Sequence, residues 1–423
     1  MPSAFEKMSA RLRAAWKPHK QATTPRAFRC QCGRPVFFRN SQCLACGTPL
    51  GYEPLQARVM PLEPVGEHLW REYGAGQNAT AYRRCQNFDA AAACNWLLPA
   101  DEKDAQGQLK PLCMACRLNH TIPDLSVPDN ALYWNRIEMA KRRLVSQLIG
   151  LGLPVVPKSE DPERGLSFDF LRAPEGGPPV MTGHDDGLIT INVEEADDAK
   201  REKLRAQLRE PYRTLLGHFR HEVGHYYWDR LVKDTEWIEP VRELFGDDRM
   251  DYAAALKKNY DEGPPADWKD RFVSTYASCH PWEDWAETWA HYLHMVDTVD
   301  TALSFGIDAD DVEIEAEPWT KEALWRPEDP DAEAFLGFLN AWVELTAVLN
   351  EMARSMGQPD FYPFVLPRPA VAKLQLIHAI VRGAGAPVPA PAAPKAMPAA
   401  AAAPEPGAPE EPEEPTAPAE PVA

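Results

Sequence analysis

The chain has 423 residues, nine cysteines and a formal charge of -18. No uncharged apolar run approaches the roughly 18 residues that a bilayer-crossing helix needs, which excludes a membrane span by hydropathy. So acidic a chain repels nucleic acid on average, so no nucleic-acid partner is expected without a segregated basic patch.

Residues 1–27 form a basic, loosely amphipathic N-terminal segment that lacks the apolar stretch of a Sec-type signal peptide. Eight of the nine cysteines lie before residue 120. In a chain without an export signal this clustering points to metal rather than disulfides, and to a cytoplasmic location. The first set is Cys30, Cys32, Cys43 and Cys46, with Gly33 and Gly47 letting the backbone turn around an ion. The second is Cys85, Cys94, Cys113 and Cys116, with His120 as an alternative to one of its weaker ligands. Spacing alone leaves open a crossed pairing between the sets. Four thiolates close the coordination sphere of Zn²⁺, so two structural zinc ions are expected to fold residues 28–127 as a loop-rich zinc-ribbon region. The ninth cysteine, Cys279, reads as a bystander thiol.

At Pro128 the character changes, and residues 128–383 read as one further domain. Asn130–Gly150 reads as an amphipathic helix preceded by capping residues. Leu166–Leu171 and the β-branched Gly187–Val193 read as strands, the second an edge strand, with His184, Asp185 and Asp186 as a turn between them. Helices are expected over Ala196–Arg209, Pro211–Val232, Met250–Tyr260, Pro281–Phe305, Asp331–Met356 and Ala370–Val381. Few strands and many helices make the class α+β. Residues 384–423 are almost entirely Ala, Pro and Glu, which reads as a disordered acidic tail and a possible partner-docking segment.

The chemical centre is His221-Glu222-Val223-Gly224-His225. On a helix, positions four apart share a face, so both imidazoles can grip one Zn²⁺. Glu222 sits beside the ligands without being one and can act as general base, then general acid. A glycine inside this helix is costly unless another element packs closely against it. Downstream, Glu283 and Glu287 are again four apart. Glu283 is taken as the third ligand and Glu287 as the carboxylate that orients a histidine through its other ring nitrogen, with the exchange of the two as the competing assignment. His291 and His294 read as polar groups along a buried helix. His218 shares the face of the motif histidines and is expected to make a structural hydrogen bond. Arg213, Arg220 and Asp229 read as salt-bridge partners, and the nearby tryptophans as core. Two histidines and one glutamate leave one zinc position open, as catalytic sites do.

HEVGH followed by EDWAE resembles the gluzincin arrangement, with Glu287 where many members have aspartate, as in the anthrax lethal factor type. That resemblance implies a tyrosine seven residues before the ligand glutamate, here Tyr276, as the donor to a developing oxyanion. More broadly, FRCQCGRPVFF, CLACGTPLGY, CRLNHTIPDL, EPYRTLLGHFRHEVGHYYWDRLV, ELFGDDRMDYAAAL and YASCHPWEDWAETWAHYLH resemble a bacterial family of zinc-binding metallopeptidases with an N-terminal zinc ribbon. The resemblance covers roughly residues 28 to 382 and implies the chemistry without naming a substrate. The expected function is therefore zinc-dependent hydrolysis of peptide bonds, with one catalytic zinc and a peptide or protein substrate aligned on the Gly187–Val193 strand. The competing expectation is a non-catalytic module that binds a protein partner through its ribbon, its acidic tail or the peptidase-like scaffold.

Overall fold

The computed structural model describes residues 24–384 except 175, 209, 308–313 and 315–316. Expectations for residues 1–23 and for the tail beyond Ala384 lie outside these residues.

Strands β1 (Ala27–Arg29) and β2 (Pro35–Phe37) form a hairpin around the first cysteine knuckle. Gly33 and Gly47 adopt positive φ, 80° and 73°, in the turns that bring the thiols together. Five antiparallel strands then follow in chain order: β3 (Leu50–Glu53), β4 (Arg58–Gly66), β5 (Leu69–Glu72), β6 (Ala81–Arg84) and β7 (Leu97–Pro99). A bridge between Tyr52 and Trp96 ties the first strand of this sheet to the approach to the last. The region read as loop-rich thus holds an ordered meander. Most of its strands are only three or four residues long, too short to display an alternating pattern.

Strand β8 (Asn119–Thr121) leaves the ribbon and joins the sheet of the following domain. That sheet also contains β9 (Ser167–Leu171), β10 (Gly183–Asp185) and β11 (Leu188–Asn192), in the order β10-β11-β9-β8. β9 is parallel to both neighbours, and four of its five residues are buried, as a strand covered on both faces requires. β11 is not an edge strand. His184 and Asp185, two of the three residues read as a turn, lie with Gly183 in a strand that pairs with it through Gly183↔Thr190, His184↔Ile189 and Asp185↔Leu188, so β10 holds the edge. The hairpin is closed by the backbone N–H of Gly187, which donates to His184 Nε2 at 2.9 Å.

The helices are α1 (Asn130–Gly150), α2 (Asp198–Leu208), α3 (Leu215–Tyr227), α4 (Ile238–Phe245), α5 (Tyr252–Glu262), α6 (Pro281–Ser304), α7 (Ala332–Ser355) and α8 (Arg368–Gly383). α3 starts later than Pro211 suggested. Thr214 caps it, its hydroxyl accepting the N–H of Gly217 at 3.0 Å, and a π-helical turn over Trp228–Val232 ends it. Pro281 does open α6, where a missing N–H costs nothing. α3 packs along α6, and α1 and α8 flank the pair. Phe168 and Phe170 of β9 meet Phe219 of α3 edge-on, and Tyr227, Trp285 and Trp289 fill the contact between α3 and α6. α7 is long and apolar enough in composition to cross a bilayer. Phe335, Phe338, Leu339, Trp342 and Leu345 of this helix are buried inside the body.

A buried ionic cluster fastens these elements. Asp297 of α6 receives Arg26 at 2.9 Å, Arg143 of α1 at 2.6 Å and Arg220 of α3 at 2.7 Å. The N–H of Thr24 donates to Asp300 one turn along, at 3.0 Å. Thr24 and Arg26, read as part of a basic arm, are therefore buried against α6.

Candidate metal centre

The motif histidines lie on α3 and the two glutamates on α6, so the site is only as rigid as the α3–α6 contact. That contact is very close at Gly224, where a Cβ would sit 3.0 Å from the Cα of Ala286 and 3.3 Å from Trp289 Cβ. The glycine read as a packing requirement is one.

Three ligand atoms converge. His221 Nε2 and His225 Nε2 are 3.2 Å apart, and Glu283 Oε2 lies 3.0 Å from the first and 3.5 Å from the second. A tetrahedral ion with bonds of about 2.0–2.1 Å separates its ligands by roughly 3.3 Å. Glu283 Oε2 is buried and aligned as a hydrogen-bond acceptor with neither histidine, so it is aimed at a point the three share. This donor set and spacing fit Zn²⁺.

Each ligand is held from behind. His221 Nδ1 pairs with Glu287 Oε1 at 2.8 Å, and Glu287 Oε2 accepts the Ser274 hydroxyl at 2.6 Å. The Tyr252 hydroxyl donates to Glu283 Oε1 at 2.7 Å. The His225 ring packs against Trp282, with centroids 3.8 Å apart. Electrostatics follow. Burial alone would raise the Glu283 carboxyl, but His225 and His221 hold it well below the usual range. Against burial, Glu283 and Glu287 hold His221 well above its ordinary value. Glu222 is buried and makes no hydrogen bond or ion pair among the described residues, and burial pushes its carboxyl upward. Tyr276 lies beside the centre, its ring 5.9 Å from that of His221.

Other candidates go elsewhere. His218 pairs with Glu195, and Arg213 lies between Glu210 at 2.9 Å and Glu195 at 3.6 Å. His291 meets the Tyr362 hydroxyl at 2.5 Å, and His294 meets Arg220 at 2.6 Å. Asp229 pairs with Lys233 at 3.5 Å.

The cysteines gather as two sets, Cys30/Cys32/Cys43/Cys46 and Cys85/Cys94/Cys113/Cys116, without crossing. Sulfur separations of 3.6 Å (Cys30–Cys46, Cys94–Cys113) and 3.8 Å (Cys32–Cys43) fit a tetrahedron with Zn–S bonds of about 2.3 Å, whose edge is roughly 3.8 Å. In the first set Cys32 and Cys46 are exposed, whereas the second set is wholly buried. His120 is not a ligand of the second set. It is on β8, paired with Asp169 of β9 at 2.8 Å, because joining the sheet carries it away from the thiols.

Sequence reasoning missed Tyr252, Ser274 and His184. Tyr252 is 31 residues from Glu283 with no spacing rule between them; the one local signal was Asp251, a good cap just before it. His184 lies in β10, its ring centroid 6.4 Å from that of His225.

Residues 130–380 match a family described as "Putative zinc-binding metallo-peptidase", and residues 27–127 match a zinc-ribbon domain family. Among curated proteins, an uncharacterized protein of Mycobacterium bovis and two of Mycobacterium tuberculosis strains are each 39% identical over 358 residues. That alignment covers 84% of this chain and 95% of theirs. No solved structure gives a significant match to the chain.

Proposed function

The chain belongs to the zinc-binding metallo-peptidase family, and from that premise we propose that it hydrolyses peptide bonds at a single zinc ion held by His221, His225 and Glu283. The observation that carries the reading is the convergence of those three donor atoms beside a buried, unpartnered Glu222. Two further ions in the cysteine sets are structural, since four thiolates leave no open position.

Zinc, when held there, polarises a carbonyl and acidifies water. The chain's residues do the rest. Glu222 takes the proton of the attacking water and returns it to the leaving amine. Glu287 fixes the ring of His221 so that Nε2 faces inward. Tyr276 donates its hydroxyl hydrogen to the carbonyl oxygen as negative charge develops there. The substrate is an extended peptide added to β10, the strand that packs on α3 and has a free edge among the described residues. The exposed Cys32 and Cys46 thiols suit a reducing, cytoplasmic setting.

Glu222→Gln tests the reading. The variant should keep its zinc and lose about 10²–10⁴-fold in turnover of a mixed peptide pool. Equal turnover by both proteins would rule out this mechanism. Zinc-loaded wild type that binds peptides without cleaving them would make the protein a binding module.

A further inference from the structure

We propose that Tyr252 is a positioning residue for the third zinc ligand: its hydroxyl holds Glu283 in a one-oxygen binding mode and so preserves the open position at the metal. The inference rests on the metallopeptidase reading of the site and goes beyond it in assigning a residue.

The two oxygens of Glu283 are divided between two tasks. Oε1 accepts the Tyr252 hydroxyl at 2.7 Å, while Oε2 faces the two imidazole nitrogens. A hydrogen bond from a phenol to a buried carboxylate is charge-assisted and directional. While it stands, Oε1 would be kept from a metal held by Oε2 and the two imidazoles. Without it, the carboxylate would lose the orientation that presents Oε2, and could turn both oxygens toward the position that water needs.

Tyr252 is itself well fixed. It opens α5 just after Asp251, whose carboxylate accepts the N–H of Ala254 at 3.0 Å. Its ring meets His280 and Trp282 edge-on, with centroids 5.3 and 5.6 Å away. His280 then ties the starts of α5 and α6 together. Its Nδ1 accepts the N–H of Trp282 at 3.1 Å, and its Nε2 donates to the Met250 carbonyl at 3.1 Å. The phenol and the carboxylate it holds are thus located by one frame at the two helix N-termini.

Tyr252 also separates two roles that a site with two tyrosines could confuse. Its hydroxyl hydrogen is committed to Glu283, whereas Tyr276 packs beside His221 and also interacts with the Tyr252 hydroxyl. Tyr252 acts through the ligand and Tyr276 on the substrate.

The test measures zinc affinity of the third site in the full chain, by competition with a chelator, for wild type, Tyr252→Phe, Tyr276→Phe, Glu283→Gln and the Tyr252→Phe/Glu283→Gln double variant. Tyr252→Phe removes one oxygen and keeps the ring contacts. Retention of the two cysteine-bound zinc ions and of the wild-type melting profile shows that it has folded. The expected result is a loss of about 10–100-fold in affinity for Tyr252→Phe. Tyr276→Phe should stay within about twofold of wild type, and the Tyr252→Phe effect should fall below about twofold once Glu283 is already Gln. The cobalt-substituted Tyr252→Phe protein should show weaker visible absorption, the sign of a higher coordination number. Tyr252→Phe within about twofold of wild type, or an equal loss in both backgrounds, overturns the proposal. So does a wild type that loads only two zinc ions. A wild type that loads three and cleaves nothing defeats the peptidase reading alone, because the affinities still decide the role of Tyr252.

Discussion

The indole nitrogen of Trp285 donates a 2.8 Å hydrogen bond to the backbone carbonyl of Gly224, inside the two-histidine motif. The bond and the missing side chain act together. Gly224 lets α6 approach α3, and Trp285 locks the approach by taking a carbonyl of the motif helix. The distance from the motif histidines to Glu283 is therefore set by a contact one residue from His225 and two from Glu283.

Gly224→Ala should be destabilising despite the better helix propensity of alanine. That propensity is worth about 1 kcal/mol. The new methyl would press on the backbone of Ala286 at 3.0 Å, and backbone yields only if the helices part. Overpacking of this kind costs about 1–3 kcal/mol, so the net effect is a loss of stability together with weaker zinc binding at the third site. Denaturant unfolding and chelator competition check both. A variant as stable as wild type would mean that the contact is softer than drawn.

Elemental analysis should find three zinc ions per chain, falling to two in the His221→Ala/His225→Ala double variant. Two ions in both proteins would mean that the convergent nitrogens and carboxylate do not retain metal. The cysteine sets should be unaffected by the double variant, since no described contact joins them to His221 or His225.

Much of this site was legible because its determinants are local. The four-residue repeat places His221 with His225, and Glu283 with Glu287, whatever the tertiary fold, and Pro281 marks the helix that carries the second pair. Asn130–Gly150 was readable end to end because its apolar period is long. The unreadable parts depend on pairing across space. His184 and Asp185 have turn-like composition and join Gly183 in a strand only because β11 hydrogen-bonds to it. Tyr252 and Ser274 look like ordinary helix-start and loop residues until α5 and α6 are brought together.

The second cysteine set should depend on Arg142. A zinc ion with four thiolates carries two negative charges, costly to bury without compensation. Arg142 of α1 is buried and donates to the carbonyl of Ala92 at 3.1 Å, two residues from Cys94. Against burial, Cys94, Glu138, Cys116 and Cys113 keep its guanidinium pKa above the ordinary value. Arg142→Met should speed zinc release from this set by about 10–100-fold, as loss of an orienting partner does at other metal sites. With a colorimetric chelator, in the His221→Ala/His225→Ala background that lacks the third ion, the protein with Arg142 intact should show a fast phase from the exposed first set and a slow phase from the buried second. The variant should accelerate the slow phase alone. Unchanged release would show that the thiolate charge is balanced elsewhere.

The pH dependence of folding should carry the mark of two buried aspartates one helical turn apart. Against the cost of burial, Arg26, Arg143 and Arg220 hold Asp297 well below the usual carboxylate range. Its folded pKa is thus below the unfolded value of about 3.9, so its contribution is present above that pH and is lost as acid protonates it. Asp300 has the opposite sign. Burial pushes it up to about 7, so the folded protein keeps a proton that the unfolded chain releases near pH 4. The contribution of Asp300 to stability therefore falls as pH rises from about 4 to 7, by an amount on the order of 4 kcal/mol, and levels off above. Asp300→Asn removes its share of that descending limb and leaves the smaller share of Asp284, which burial pushes up to about 6, and the acid limb of Asp297. Relative to wild type, the variant should gain stability steadily from pH 4 to pH 7, since an amide can still accept the N–H of Thr24 and cannot ionise. Urea melts at half-unit pH intervals read the slope directly. A variant whose profile runs parallel to that of wild type would show that Asp300 is already ionised in the fold, and that the three arginines serve both carboxylates.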